Sequence, residues 1–216
     1  MLFEINGLDL KYQGQPVLKQ VSLRIEHGER VALIGKSGAG KSTLLTHLRA
    51  LQPQQVAWCP QHTGLVPMLS VYHNIYMGAL HRHNSIYNLV NLIRPLPRPF
   101  QEVEQLADHL LLRNWLLTSV DQLSGGQQQR TAIGRALYQQ KPVFMGDEPV
   151  SGLDDFQANT LLKLIAEHHS TLILALHDIE QALQLCDRII GLKDQRIALD
   201  SPSASLSAAD LTPLYQ

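Results

Sequence analysis

The chain is short of charge, cysteine and long apolar runs. Only 17% of its 216 residues are charged, and 18 Lys and Arg nearly balance 19 Asp and Glu. A dedicated nucleic-acid binder carries a basic surplus, so none is expected as partner. A surface this poor in charge suits a chain with an obligate protein partner. Two cysteines, Cys59 and Cys186, are too few for a disulfide framework and are not spaced as metal pairs. No apolar run approaches the ~18 residues that span a bilayer. The opening MLFEINGLDLKY lacks the basic region and apolar core of a secretion signal. These absences predict a soluble, cytoplasmic protein. There is no repeat at a period of about 20–50 residues and no low-complexity linker. What is present is 44% apolar residues, enough for a full core in one domain, with room for a lobe.

Apolar patterning divides the chain. Leu2–Leu10 and Val17–Ile25 read as strands around a turn at Gln13–Pro16. Val31–Ile34 is a short buried-strand run, followed by a glycine-rich loop and a helical pattern through Leu44, Leu45 and Leu48. A buried strand feeding a helix through glycines opens an α/β unit. Residues 70–118 read as wholly helical, punctuated by Pro95, Pro97 and Pro99. Beyond residue 120 the α/β rhythm returns. Val143–Met145 and Thr171–Leu176 are strands, with helices near 126–139, 155–168 and 178–185, and two short strands fall within 187–200. The expected fold is α/β: a parallel-sheet core interrupted between about 62 and 120 by a helical insert, one domain with two lobes.

Gly35-Lys36-Ser37-Gly38-Ala39-Gly40-Lys41-Ser42 fits the phosphate-loop pattern GxxxxGK[ST], between an apolar strand and a helix. Gly38 and Gly40 permit backbone conformations in which successive N–H groups face an anion, and the helix N-terminus adds partial positive charge. Lys41 is placed for the β- and γ-phosphates, the Ser42 hydroxyl for Mg²⁺, and Thr43 for the α-phosphate.

A second helix end is equally suited to phosphate. In Leu123-Ser124-Gly125-Gly126-Gln127, Ser124 is a good N-cap and two glycines bare the backbone N–H groups. Alone, such a sequence is simply a cap. Here an apolar strand follows, closing in Asp147-Glu148, then Ser151-Gly152-Leu153-Asp154, and His177 after the next strand. Paired carboxylates closing a buried strand are costly as packing; a metal and its water account for them.

This ordered set resembles the ATP-binding cassette (ABC) ATPases, whose signature is LSGGQ, and the likeness runs from Leu2 to Tyr215. The resemblance implies a P-loop NTPase fold with a small antiparallel part and an inserted helical subdomain. It implies that Tyr12 stacks on adenine, the lesser alternative being a strand aromatic that packs the sheet. It implies that Gln61 touches Mg²⁺ and links to the helical lobe, and that Asp147 holds the metal. Glu148 orients and deprotonates the attacking water, His177 contacts the γ-phosphate, and Asp154 lies at a dimer seam. Ser124–Gln127 then meets the ATP of a second copy. Within the family, Gly64–Val71, Gln122–Arg130, Asp147–Val150 and Ala208–Tyr215 resemble the phosphonate-importer branch. The implied partners are a transmembrane permease, a second ATPase subunit and a solute-binding protein, with the chain peripheral on the cytoplasmic face of the membrane.

The chain departs from that family in two places. Only 17 residues, Leu44–Pro60, separate Thr43 from Gln61, about half the family's usual interval. Strands and turns of the antiparallel part are expected to be missing there, with a possible loss of ATP affinity. Gly146 stands before Asp147 where a bulkier apolar residue is usual, and is expected to loosen that carboxylate. The histidines His62, His73, His81 and His83 are loosely spaced and read as solvated rather than metal-binding. Met68, Tyr72, Tyr76 and Met77 fall at helical spacing, either as core of the lobe or as lining of a groove for a permease helix. Other classes fit less well. A soluble ABC ATPase acting on nucleic acid or ribosomes usually has tandem cassettes or a long coiled coil, a small-molecule kinase lacks LSGGQ, and a GTPase carries an Asn-Lys-x-Asp motif that is absent. Glu148 and His177 argue against a module that binds nucleotide without hydrolysis.

Overall fold

A computed structural model describes all residues, 1–216. A hairpin comes first, β1 (Phe3–Tyr12) antiparallel to β2 (Gln15–Ile25). Its turn is Gln13-Gly14 alone, with φ of 49° and 82°. Two positive φ values let a two-residue turn follow the right-handed twist of its strands. Both strands therefore run further than the alternation predicted, and Tyr12 pairs with Gln15 at the tip. No other strand joins this sheet.

The second sheet has β3 (Arg30–Ile34), β4 (Val56–Cys59), β5 (Val143–Asp147), β6 (Thr171–Ala175), β7 (Arg188–Lys193) and β8 (Arg196–Pro202), in the order β4-β5-β6-β3-β7-β8. All neighbours are parallel except β8, which returns antiparallel at the edge. Strands β5 and β6 are buried at every position, as strands covered on both faces must be. The hairpin and α1 (Lys41–Leu51) cover one face. On the other lie α5 (Gly125–Leu137), α6 (Asp155–His168) and α7 (Ile179–Leu185). Strand β4 escaped the sequence reading because four residues between glutamine-rich loops show no period.

Between β4 and α5 come α2 (Val71–Tyr76), a 3₁₀ turn over Met77–Arg82, α3 (Ser85–Ile93) and α4 (Pro97–His109). The stretch is less uniformly helical than its apolar spacing predicted. Ser70 and Asn84 cap fresh helices with their side chains, and Leu111, at φ 55°, ends the run after α4. Pro97 and Pro99 sit in the first turn of α4, where a missing N–H costs nothing. Tyr72 and Tyr76 are core: their rings stack 6.1 Å apart, and the Tyr72 hydroxyl donates to Asn91 Oδ1 at 2.7 Å. Met68, at 86% exposure, is not. Helix α5 lies close against this segment because Gly78 has no side chain; a Cβ there would collide with the Arg135 carbonyl. The chain ends in α8 (Ala208–Leu211) and a 3₁₀ turn, Thr212–Tyr215.

The link from α1 to β4 is four residues, Gln52–Gln55. Nothing in it can form the extra strands of an antiparallel lobe, so the hairpin stands as two strands. Parallel topology places the loops after β3, β4, β5 and β6 at one edge of the sheet. The strand order turns about β3, the position where α/β sheets bind ligands.

Candidate nucleotide site

The loop after β3 is shaped by three glycines. Gly35, Gly38 and Gly40 have φ of 143°, 80° and 104°. A Cβ on Gly35 would collide with the Leu192 carbonyl, and one on Gly40 would lie 2.8 Å from Leu18 Cγ. Gly40 is the N-cap of α1 and offers no side-chain cap, so the first-turn N–H groups of Lys41, Ser42 and Thr43 point into the loop without acceptors. Lys41 is buried and folds back over this loop, donating to Gly35 O at 2.7 Å and Lys36 O at 3.3 Å. Burial lowers its pKa, against the pull of Glu148 and Asp147.

Asp147 closes β5 with 4% of its surface exposed, and its Oδ1 has no hydrogen-bond partner in the chain. Burial raises its pKa; the Ser42 hydroxyl and the Lys41 ammonium oppose the rise, and Glu148 adds to it. A buried carboxylate oxygen with no partner, beside a serine hydroxyl, fits a hard divalent cation completed by phosphate oxygens and water. No three His, Cys, Asp or Glu side chains gather into a metal-ligating group anywhere in the chain.

Glu148 has φ 53°, a left-handed conformation rare for a side chain of its size. Its N–H donates to Ala175 O at 3.1 Å, and Ser151 donates to its carbonyl through both N–H and Oγ. The turn aims the carboxylate across the sheet edge. Oε1 lies 2.5 Å from His177 Nε2, and Oε2 accepts from Gln61 Nε2 at 3.3 Å. Residues from the ends of three strands thus form one hydrogen-bonded set. Tyr12, Ser37, Gly38, Lys41–Thr43, Gln61 and Glu148 line a single cavity of about 240 Å³. Tyr12 stands at its rim, 62% exposed.

Two groups of expected residues lie elsewhere. Ser124 Oγ accepts from Gln127 N at 3.3 Å while Gln127 Oε1 accepts from Ser124 N at 2.8 Å, a closed capping box at the start of α5. Asp154 caps α6, accepting from Gln157 N at 2.9 Å. Neither lines the cavity around Lys41. The expectation that Gly146 loosens Asp147 is corrected. A Cβ at residue 146 would meet Pro149, Leu174 and Phe144 at 2.8–3.1 Å, so neighbours already fill its place.

Three supporting residues were not found from sequence. Arg135 on α5 donates to the Thr63 and Gly64 carbonyls, holding the loop that follows Gln61. Gln129 Nε2 donates to Pro149 O at 2.5 Å, tying α5 to the turn after Glu148. Tyr215 donates to the His177 carbonyl. Each acts on a backbone carbonyl, a partner that leaves no mark in residue identity.

A glycine-built anion loop, a buried strand-end carboxylate and a second acid aimed at the same cavity define a P-loop NTPase. The chain belongs to the ABC transporter family, whose profile matches residues 18–55 and 48–151. The two matched pieces meet at the short α1–β4 link. The chain is 37% identical over 231 residues to the phosphonates import ATP-binding protein PhnC of Pseudomonas fluorescens, covering 94% of this chain and 86% of that one. It is 33% identical over 243 residues to the phosphite import ATP-binding protein PxtA of Stutzerimonas stutzeri, covering 99% and 87%. Among solved structures, a bacterial ABC transporter cassette determined as a dimer superposes with a TM-score of 0.80, covering 93% of this chain and 98% of that one at 24% identity. The alignment to PxtA is longer than the 216-residue chain itself, so that relative carries residues this chain lacks.

Proposed function

We propose that this chain is the ATP-hydrolysing subunit of an ABC importer, driving a membrane permease through a nucleotide-sandwich dimer. The observation that carries the reading is Glu148, aimed by a left-handed turn at the phosphate-loop cavity and held between Gln61 and His177. In this reading the backbone of residues 35–43 wraps the phosphates. Lys41 leaves its two loop carbonyls for the β- and γ-phosphate oxygens, exchanging neutral acceptors for charged ones. Tyr12 offers a ring face to adenine. Ser42, Asp147 and Gln61 hold Mg²⁺, which when bound neutralises phosphate charge. Glu148 takes a proton from the attacking water, and His177 donates to the γ-phosphate.

The dimer is supported by one chain having two anion-ready helix ends and a single phosphate loop. A two-fold pair lets each ATP meet α1 of one copy and Ser124–Gln127 of the other, with Asp154 at the seam. A solved cassette of the same fold is dimeric. No helix is long and apolar enough to cross a membrane; in this reading the membrane path belongs to a permease partner. In the same reading the chain lies peripherally on the cytoplasmic face. Residues 1–61 and 120–216 form the nucleotide-binding core, and 62–120 form the helical lobe that takes up the permease's motion. Relatives named for phosphonate and phosphite import support an oxyanion of phosphorus as the solute class. A solute-binding protein would select it.

Glu148→Gln tests the reading. The swap keeps size and one acceptor oxygen but removes the proton acceptor, so hydrolysis should fall by about 10²–10⁴-fold. ATP affinity should change little, and ATP with Mg²⁺ should shift the variant to a dimer by light scattering. A variant that still turns over at the wild-type rate ends the assignment.

A further inference from the structure

The C-terminal segment touches the His177 side of the nucleotide site and packs on β7, which supports the phosphate loop, without lining the cavity itself. After α8 the chain crosses β7. Leu214 fills the slot left by Gly191, where a Cβ would lie 2.5 Å from Leu214 Cδ1, and Lys193 Nζ donates to Pro213 O at 2.8 Å. These two anchors flank Leu192, whose carbonyl is the atom against which the phosphate loop rests at Gly35. From that fixed base the Tyr215 hydroxyl donates to the His177 carbonyl at 3.1 Å. Burial raises the phenol's pKa, and the nearby Gly35 backbone opposes the rise.

His177 has little else to hold it. Strand β6 ends at Ala175, and Asp178 is already committed as the cap of α7. The imidazole is 45% exposed, and its one side-chain partner is Glu148. A small backbone rotation at residue 177 would swing Nε2 away from both Glu148 and any phosphate in the loop. Misplacement by about 1 Å is enough to slow a reaction by orders of magnitude.

We propose that Tyr215 is a positioning residue for ATP hydrolysis: its hydroxyl ties the His177 carbonyl to a C-terminal segment anchored on β7 beside the phosphate loop, fixing where the imidazole meets the γ-phosphate. The inference rests on the ATPase reading above. Tyr215→Phe keeps the ring in its slot and removes only the tie. Because the hydroxyl touches neither the phosphate-loop lysine nor the base platform, ATP binding should survive while the rate does not.

The experiment compares kcat, KM for ATP and the melting temperature of the full-length wild type and Tyr215→Phe, in the presence of Mg²⁺. The expected result is a fall in kcat of about 3–10-fold, with KM within twofold and melting within about 2 °C. Equal kcat overturns the proposal, as does a fall in kcat matched by an equal rise in KM. If the variant melts lower, rates are taken at a temperature where both proteins are fully folded. A deficit that persists there supports the tie, and one that vanishes overturns it. A wild type with no ATPase activity, alone or with its permease, would instead sink the ATPase reading itself.

Discussion

Two helices of this protein begin with glycine and a phosphate-ready turn, yet they are finished differently. At α1 the cap is Gly40, which supplies no side-chain acceptor, and a buried lysine covers the loop. At α5 the cap is Ser124, and its capping box with Gln127 uses the N–H groups of both residues. The first end is an anion site within one chain, held open by glycines that packing requires. The second is satisfied on its own, and gives up its cap only to a competitor with more charge than a serine hydroxyl. Gly125 sharpens the contrast. A Cβ there meets nothing within 4 Å, whereas Gly35 and Gly40 are excluded from any side chain by their own neighbours. Within one chain, nothing demands glycine at 125.

The largest effect should come from removing the lysine of the first end. Lys41→Ala leaves the phosphate charge uncompensated, and losing one such stabilising donor lowers rate by about 10²–10³-fold. Nucleotide titration should show ATP binding lost as well, and near-normal turnover would remove the distinction between the two ends. Next, Ser124→Arg should leave ATP binding to the single chain within a few-fold but prevent dimer formation, even in a Glu148→Gln background. Light scattering with ATP and Mg²⁺ reads this directly. If the dimer persists, α5 is only a capped helix.

Gly125→Ala is the finer probe. Helix propensity alone makes the substitution neutral or stabilising by up to about 0.5–1 kcal/mol. If a second copy's ATP approaches this turn, hydrolysis should nonetheless fall by about tenfold, equivalent to ~1.4 kcal/mol of barrier. A more stable chain with unchanged turnover would show that nothing approaches.

The finest shift in stability and pH dependence concerns Asp147, the electrostatic counterpart of the first end. Its folded pKa is raised by burial, so the protonated form is the better tolerated one. The stability this confers is present below the ordinary carboxylate value of 3.8 and is lost as pH rises through the raised folded value. At neutral pH the ionised carboxylate is therefore a burden, relieved when a cation binds. Asp147→Asn should raise the melting point, by the equivalent of about 1 kcal/mol, while Mg²⁺-dependent hydrolysis disappears. Mg²⁺ affinity of the wild type should weaken as pH is lowered toward that raised pKa.

Much of this was legible in residue order. The phosphate loop, the acidic strand end and His177 announce themselves because each needs particular residue types at fixed offsets. Strands β3, β5 and β6 were visible because double burial demands unbroken apolar runs. The four-residue β4 carries too few positions to show a period. The α2–α4 segment looked uniformly helical because cap side chains such as Ser70 and Asn84 are common in loops too. Most opaque were Arg135, Gln129 and Tyr215, which act on carbonyl oxygens that every residue possesses. The Gly146 expectation failed for a related reason: sequence shows a missing side chain but not the neighbours that occupy its space.

The short α1–β4 link has a consequence for how firmly Tyr12 is held. With no third strand, β1 presents a bare edge along its length, and a two-stranded sheet is marginal without support. Beside that edge runs a groove of about 540 Å³ between β1 and α1, reaching Tyr12, Ser42 and Thr43. No strand pairs with the outward edge of β1, so its amides should exchange with solvent faster than those of the buried β5 and β6. Tyr12 is carried on an edge strand of a two-stranded sheet. Nucleotide stacking on its ring would then register as slowed amide exchange at the tip of the hairpin, so that the bound base itself stiffens the part of the sheet that the shortened chain leaves unsupported.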